Sequence, residues 1–293
     1  MFILGPARSG TTLLYKGLCL HPEVAFISNW RARFWRVPPV AMLNRVARRM
    51  PSRQRRAWFD GGSNAYVYGS PRRMGDRLFP TPVEGEPVYT RAGVPRPGGP
   101  EPAGVDPTVA LPAAFESIRS LGRGSCLVSK RIANNLRVPL LHRAFPDARF
   151  VVLVRDGRAV ADSLARVDWW ERSHVWWYGG TPATWRAEGG DPWEMCARNW
   201  VEEIRAIEGG LRTVPEAQVM RLRYEDLVAN PTQAFERAAA FVGLPDEDAW
   251  RRSLAVLPIS DQNEGWRTRL EPSVVEMITA IQRTELQRYG YDT

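Results

Sequence analysis

The 293-residue chain is poor in cysteine, histidine and lysine, and each shortage closes off some chemistry. Its three cysteines, Cys19, Cys126 and Cys196, lie far apart, with no CxxC pair and no matching histidine cluster. Zinc sites and disulfide frameworks need such spacings, so neither is expected, and a reducing compartment fits. The three histidines are also scattered, and no metal site is expected. No apolar run approaches the ~20 residues that span a bilayer. The chain opens almost at once on Phe2-Ile3-Leu4-Gly5, which leaves no room for a secretory signal ahead of that strand. The expectation is a cytoplasmic protein.

Only two of the forty basic residues are lysine, Lys16 and Lys130. An arginine excess can follow from composition alone, whereas a lysine kept against it, at Lys130, is more informative. The net charge of +8 favours anionic partners such as nucleotides, sulfate or phosphate esters and anionic lipids. Hydrophobic residues at 44% and charged residues at 25% are those of an ordinary globular protein, long enough to fold without a staple. No internal repeat is present. The reading is a single domain over residues 1–293, with residues 31–123 and 167–215 inserted on one side of it.

The pattern along the chain predicts α/β architecture. Phe2-Ile3-Leu4 reads as a buried strand, residues 5–10 as a turn, residues 11–19 as a helix and residues 24–27 as a second strand. Residues 39–50 have the spacing of an amphipathic helix, inside a stretch from 31 to 56 rich in arginine. Residues 60–112, rich in Gly and Pro, read as loop or lid. Further strands are expected at 126–128, 149–154 and 219–223, and helices at 115–121, 136–145, 158–166, 191–208 and 272–289. Asp191-Pro192 and Asn230-Pro231 carry the signature of a helix N-cap followed by N1, and Gly243 that of a helix end. Strands alternating with helices imply a mainly parallel sheet covered on both faces.

Gly5-Pro6-Ala7-Arg8-Ser9-Gly10-Thr11-Thr12 places glycines five apart between strand and helix. Backbone N–H groups of such a loop converge on an anion, aided by the helix dipole. A nucleotide triphosphate loop has lysine just before its Ser/Thr; here that position is Thr11, and the cation comes earlier, at Arg8. With Leu13 and the pair His21-Pro22, this segment resembles the sulfotransferases that use 3′-phosphoadenosine 5′-phosphosulfate (PAPS), in particular the branch holding the tyrosylprotein sulfotransferases and many bacterial relatives. The resemblance implies a P-loop-like fold, PAPS as co-substrate and 3′-phosphoadenosine 5′-phosphate (PAP) as product. It implies that Arg8, Ser9, Gly10, Thr11 and Thr12 hold the 5′-phosphosulfate.

A second anion site is expected where Arg155 follows the strand Phe150–Val154, at the carboxyl edge where doubly wound sheets bind ligands. Arg155 and Ser163 match the family's arginine and serine for the 3′-phosphate, a guanidinium fork joined by a hydroxyl. Tyr224, in Tyr224-Glu225-Asp226-Leu227, matches the tyrosine near adenine. Glu264-Gly265-Trp266-Arg267 resembles the element that closes over the nucleotide, with Arg267 on the 3′-phosphate. Lys130 matches the lysine that reaches the transferring group.

The general base departs from the family. Asn29 stands where the tyrosylprotein branch has glutamate, and Ile132 where the small-phenol branch has histidine. The remaining candidates are His174, Asp168, Glu86 and Asp76, with His174 taken as the catalytic one and His21 and His142 as structural. Seven tryptophans between Trp169 and Trp200 can stack on a sugar, an aromatic ring or a cation, or build core. The function expected is sulfuryl transfer to a hydroxyl of a small molecule, glycan or lipid-linked acceptor. No nucleic-acid partner is expected, and the basic stretch 31–56 offers a peripheral contact with an anionic membrane. The competing readings are a P-loop kinase or NTPase and a non-catalytic basic protein binding nucleic acid or membrane.

Overall fold

The computed structural model describes residues 1–59, 78–97, 99 and 104–293. Four strands form a parallel sheet in the order β4-β1-β5-β6: β1 (Phe2–Leu4), β4 (Ser129–Lys130), β5 (Phe150–Val154) and β6 (Val219–Arg223). Phe2 stands opposite Ser129 on one side and Phe150 on the other, and Phe150 opposite Val219. A short parallel ladder joins β2 (Val24–Ala25) to β3 (Cys126–Leu127), and the chain runs from β3 into β4 after one residue.

The central strand β5 is five consecutive apolar residues, all buried, as a strand covered on both faces requires. Side chains alternate across the sheet. Phe2, Leu4, Val152 and Val154 face a core with Phe115, Leu141, Trp200 and Ile204. Ile3, Val151 and Leu153 face the opposite core, with Leu14, Leu18, Phe235 and Trp250. The helices Pro107–Gly122, Val138–Ala144 and Pro192–Leu211 therefore cover one face, and Thr11–Cys19, Pro231–Phe241 and Asp248–Ala255 the other. A third cluster, around Ala161, Leu164, Trp170, Met195 and Ile278, joins the helix Gly157–Ala165 to the closing helix Pro272–Arg288.

Most helix boundaries follow the expected caps. Asp191 accepts hydrogen bonds from Trp193 N and Glu194 N, and the helix after it runs on to Leu211. Asn230 differs, since its side chain makes no cap bond although Pro231 does start the helix. The stretch expected as loop from 60 to 112 is partly helical among the described residues. Glu86–Arg91 is a helix, and Pro107–Gly122 begins eight residues before the expected start at Phe115. Asp106 caps that helix with an acceptor 2.8 Å from Thr108 N, the same Asp-Pro signal that marks Asp191-Pro192. Pro112 inside the helix masked it in the sequence. The expected helix 39–50 is divided into a 3-10 turn, Pro38–Met42, and a short helix, Leu43–Arg48.

Candidate active site

The chain leaves β1 into the glycine loop and enters the helix Thr11–Cys19 with no side-chain cap on its first N–H groups. Such groups are orphan donors that suit an anion. Gly10 takes a left-handed φ of 84°, and a Cβ there would stand 2.6 Å from the Tyr224 ring, so only glycine lets loop and tyrosine approach. Arg8 is also left-handed, at φ 70°. That conformation costs a non-glycine residue on the order of 1–3 kcal/mol and persists only where the surroundings impose it. Here Arg155 donates from Nη1 to the Arg8 carbonyl at 3.2 Å. Asn135 holds the loop's start, accepting from Gly5 N at 3.1 Å and donating to Gly5 O at 3.0 Å. Ser9 Oγ is buried and has no hydrogen-bond partner among the described residues, an orphan polar atom in a loop that the sequence reads as an anion cradle.

Arg155 follows β5 directly, stacks on Tyr224 at 4.5 Å, and donates to Asn263 Oδ1 at 3.0 Å and Gln262 O at 2.5 Å. Arg8 donates from Nε to Ser163 Oγ at 2.9 Å. The serine expected beside Arg155 is thus bonded to the loop arginine. Burial pulls both guanidinium pKa values down, and for Arg8 the nearby charges of Arg155 and Arg166 add to that. Among the described residues neither arginine has a carboxylate at ion-pair distance. Their neighbour Arg158, by contrast, is paired with Asp156, and Arg166 with Asp162. A buried and a half-buried cation without a carboxylate at ion-pair distance make this an electropositive pocket.

Lys130 ends β4, with Nζ 2.5 Å from Glu84 Oε1. A cavity of about 620 Å³ brings these groups together: Arg8, Gly10, Thr11, Thr12, Lys130, Arg155 and Tyr224 all line it. Ser9 and Ser163 are not on its lining, and Ser163 is joined to it through its hydrogen bond from Arg8. Arg267 is exposed, bonded to Glu264 and stacked on Trp266 at 4.6 Å, and it does not line the cavity. The other lysine, Lys16, is buried and donates to Trp58 O at 2.7 Å, tying two helices.

Of the expected base candidates, His174 lines the cavity and is exposed. Asp168 is exposed and off the lining, and Asp76 lies outside the described residues. Glu86 is held by Arg131 and, through both carboxylate oxygens, by Arg137. His21 is structural: its Nδ1 accepts from Glu23 N and its Nε2 donates to Pro245 O.

Two cavity carboxylates escaped the sequence reading. Glu203 is buried and accepts from Asn135 Nδ2 at 2.6 Å and Trp176 Nε1 at 3.2 Å. Burial pushes its carboxyl up to about 7, against those two hydrogen bonds. A signal existed for it, since Glu203 sits on the apolar stripe of Trp200, Ile204 and Ile207. Glu84 carried no local signal; a contact 46 residues away places it.

The tryptophans divide between roles. Trp200 is fully buried core, Trp177 and Trp185 pack on each other at 6.3 Å, and Trp169, Trp170 and Trp176 line the cavity. Phe59, Ile132 and Ile259 complete an apolar wall.

Comparison with known proteins accords with this geometry. A family model described as "Sulfotransferase family" matches residues 1–248. The omega-hydroxy-beta-dihydromenaquinone-9 sulfotransferase of Mycobacterium bovis is 24% identical over 173 residues, 58% of this chain and 42% of that one. The matched stretch thus spans under half the length of that curated relative. Among solved structures, a sulfotransferase of Mycobacterium avium superposes with a TM-score of 0.60 at 14% identity, covering 100% of this chain and 77% of that one. A sulfotransferase domain from the curacin biosynthetic pathway gives 0.54 at 17% identity, covering 99% and 97%. At such identities the likeness concerns the fold, a parallel sheet flanked by helices.

Proposed function

This chain belongs to the sulfotransferase family, and from that premise we propose that it transfers the sulfuryl group of PAPS to a hydroxyl of a small-molecule acceptor. One observation carries the reading. The glycine loop, the Arg155–Tyr224 pair and Lys130 share a single cavity, large enough for a nucleotide with room beside it. In this reading the loop N–H groups, Arg8 and Thr11–Thr12 hold the phosphosulfate end. Arg155 and Tyr224 receive the 3′-phosphoadenosine end, with Ser163 steadying Arg8 between the two.

The reaction is an in-line displacement at sulfur. The acceptor oxygen attacks, the bond from sulfur to the bridging oxygen breaks, and negative charge grows on the departing phosphate of PAP. Arg8 and Lys130 offset that charge as fixed cations, and one well-placed donor contributes about 3–4 kcal/mol in a site shielded from water. The apolar wall of Trp169, Trp170, Trp176, Phe59 and Ile259 suits an acceptor with an apolar body and a terminal hydroxyl. The mycobacterial relative is by its name a sulfotransferase of such a molecule, an omega-hydroxylated dihydromenaquinone. Phe34, Val37, Met42 and Val46 are exposed among the arginines of residues 31–49, a combination that favours an anionic lipid surface as the place of encounter. No helix among the described residues is long and apolar enough to cross a membrane.

The test is PAP binding. PAP raises the melting temperature of the wild type, ATP with Mg²⁺ does not, and PAPS supports sulfuryl transfer. Hydrolysis of ATP with no thermal response to PAP would instead favour an NTPase.

A further inference from the structure

A hydroxyl that attacks sulfur must give up its proton, and the two positions where the resemblance in sequence implies a base hold Asn29 and Ile132. Asn29 is occupied with something else. Its backbone N donates to Thr81 O at 2.9 Å, its Oδ1 accepts from Thr81 N at 3.0 Å, and its Nδ2 donates to Phe79 O at 3.2 Å. Ser28 bridges Pro82, and Val83 N donates to Ile27 O at 2.9 Å. Residues 79–83 are thereby laid antiparallel along 27–29, and the next residue, Glu84, enters the cavity. Gly85 then turns away at φ 67°, where a Cβ would meet Ile27 Cγ2 at 2.6 Å. Asn29 thus fixes the strand-like segment that delivers a carboxylate from elsewhere in the chain.

The delivered carboxylate stands beside Lys130. Glu84 Oε1 is 2.5 Å from Lys130 Nζ, and both side chains are largely buried. Glu84 Oε2 also lies 3.5 Å from Arg131 Nη1, and the neighbouring carboxyls have partners of their own. Glu86 is clamped by Arg131 and Arg137, and Glu203 is tied to Asn135 and Trp176.

We propose that Glu84 is the general base, in a handover with Lys130; the assignment rests on the reading of the cavity as a PAPS site. With PAPS bound, Lys130 turns from Glu84 to the oxygen that bridges sulfur and phosphate. Glu84 Oε1 then accepts the acceptor's proton as the new oxygen–sulfur bond forms and the bridging bond breaks. The electron pair of that bond leaves on PAP, the sulfate ester departs as an anion, and Glu84 returns its proton to water.

The experiment compares wild type, Glu84→Gln and Glu84→Asp with PAPS and two probe acceptors: benzyl alcohol, which needs a base, and p-nitrophenolate above the pKa of its phenol, which needs none. PAP affinity is measured by calorimetry on the same proteins. Glu84→Gln is expected to bind PAP as well as or better than wild type. It should lose about 10²–10⁴-fold in rate with benzyl alcohol, far less with p-nitrophenolate, and Glu84→Asp should recover part of the loss. Equal losses with both acceptors, or no loss with benzyl alcohol, would overturn the assignment of Glu84 while leaving the donor site intact. A wild type that fails to bind PAP would strike the donor reading itself.

Discussion

The two halves of the cavity are built differently. The half proposed to hold the donor hangs on the carboxyl ends of β1, β4 and β5, inside a sheet whose central strand is wholly buried. Its loop is braced by Asn135, Tyr224 and Arg155. The acceptor half comes from the segment Trp169–Trp176, from Glu84 and from residues 258–260, none of which lies in a strand of the sheet. These pieces are held by pairing outside the sheet, Val175 with Gly180 and residues 79–83 with 27–29. A grip on one invariant nucleotide calls for atoms fixed by a rigid frame, whereas a wall of loops can be recut for new acceptors without disturbing the frame.

Substitutions can sharpen that contrast or break it. The largest effect is expected from Arg155→Ala, which should weaken PAP binding by about 2–5 kcal/mol, because a buried cation opposite a phosphate is removed. Calorimetry checks it, and unchanged affinity would remove the donor half from the contrast. Next comes Glu203, which touches both halves. Its folded-state pKa of about 7 lies above the ordinary carboxyl value, so the native state holds a proton that the unfolded chain gives up. Its contribution is therefore fully present below the unfolded-chain value, falls as pH rises toward about 7, and levels off above that. The whole effect is about 3 kcal/mol at most. Melting curves across that range should show the slope in wild type and a flatter line in Glu203→Gln. The smallest effect is expected from Trp169→Ala, which should raise KM for an apolar alcohol by an amount worth about 1 kcal/mol and leave PAP affinity unchanged. A shift in PAP affinity would mean that the two halves are not separable.

That Arg8, Thr11, Arg155 and Tyr224 line one cavity was legible in the sequence because these residues sit within a few positions of a strand end. Leu4 fixes where the glycine loop starts, and Val154 fixes where Arg155 falls. Lys130 stood out by scarcity, yet the same argument would have chosen Lys16, which only ties helices together. The acceptor half was legible in part: the tryptophan-rich segment stood out and Trp169, Trp170 and Trp176 line the cavity, but Glu84 reaches it through pairing between residues some 50 positions apart. Arg267 shows the opposite failure. A local likeness suggested a phosphate contact, but the side chain is engaged by its own helix and its neighbour Trp266.

Asn135 has a mechanical consequence. One carboxamide holds both the amide and the carbonyl of Gly5 while a hydrogen from the same nitrogen reaches Glu203, which in turn steadies Trp176. Turning that group over would break all three bonds together, so it behaves as a latch with a single closed position. The Trp176 ring and the first residue of the glycine loop are thereby tied together through just two side chains, Asn135 and Glu203.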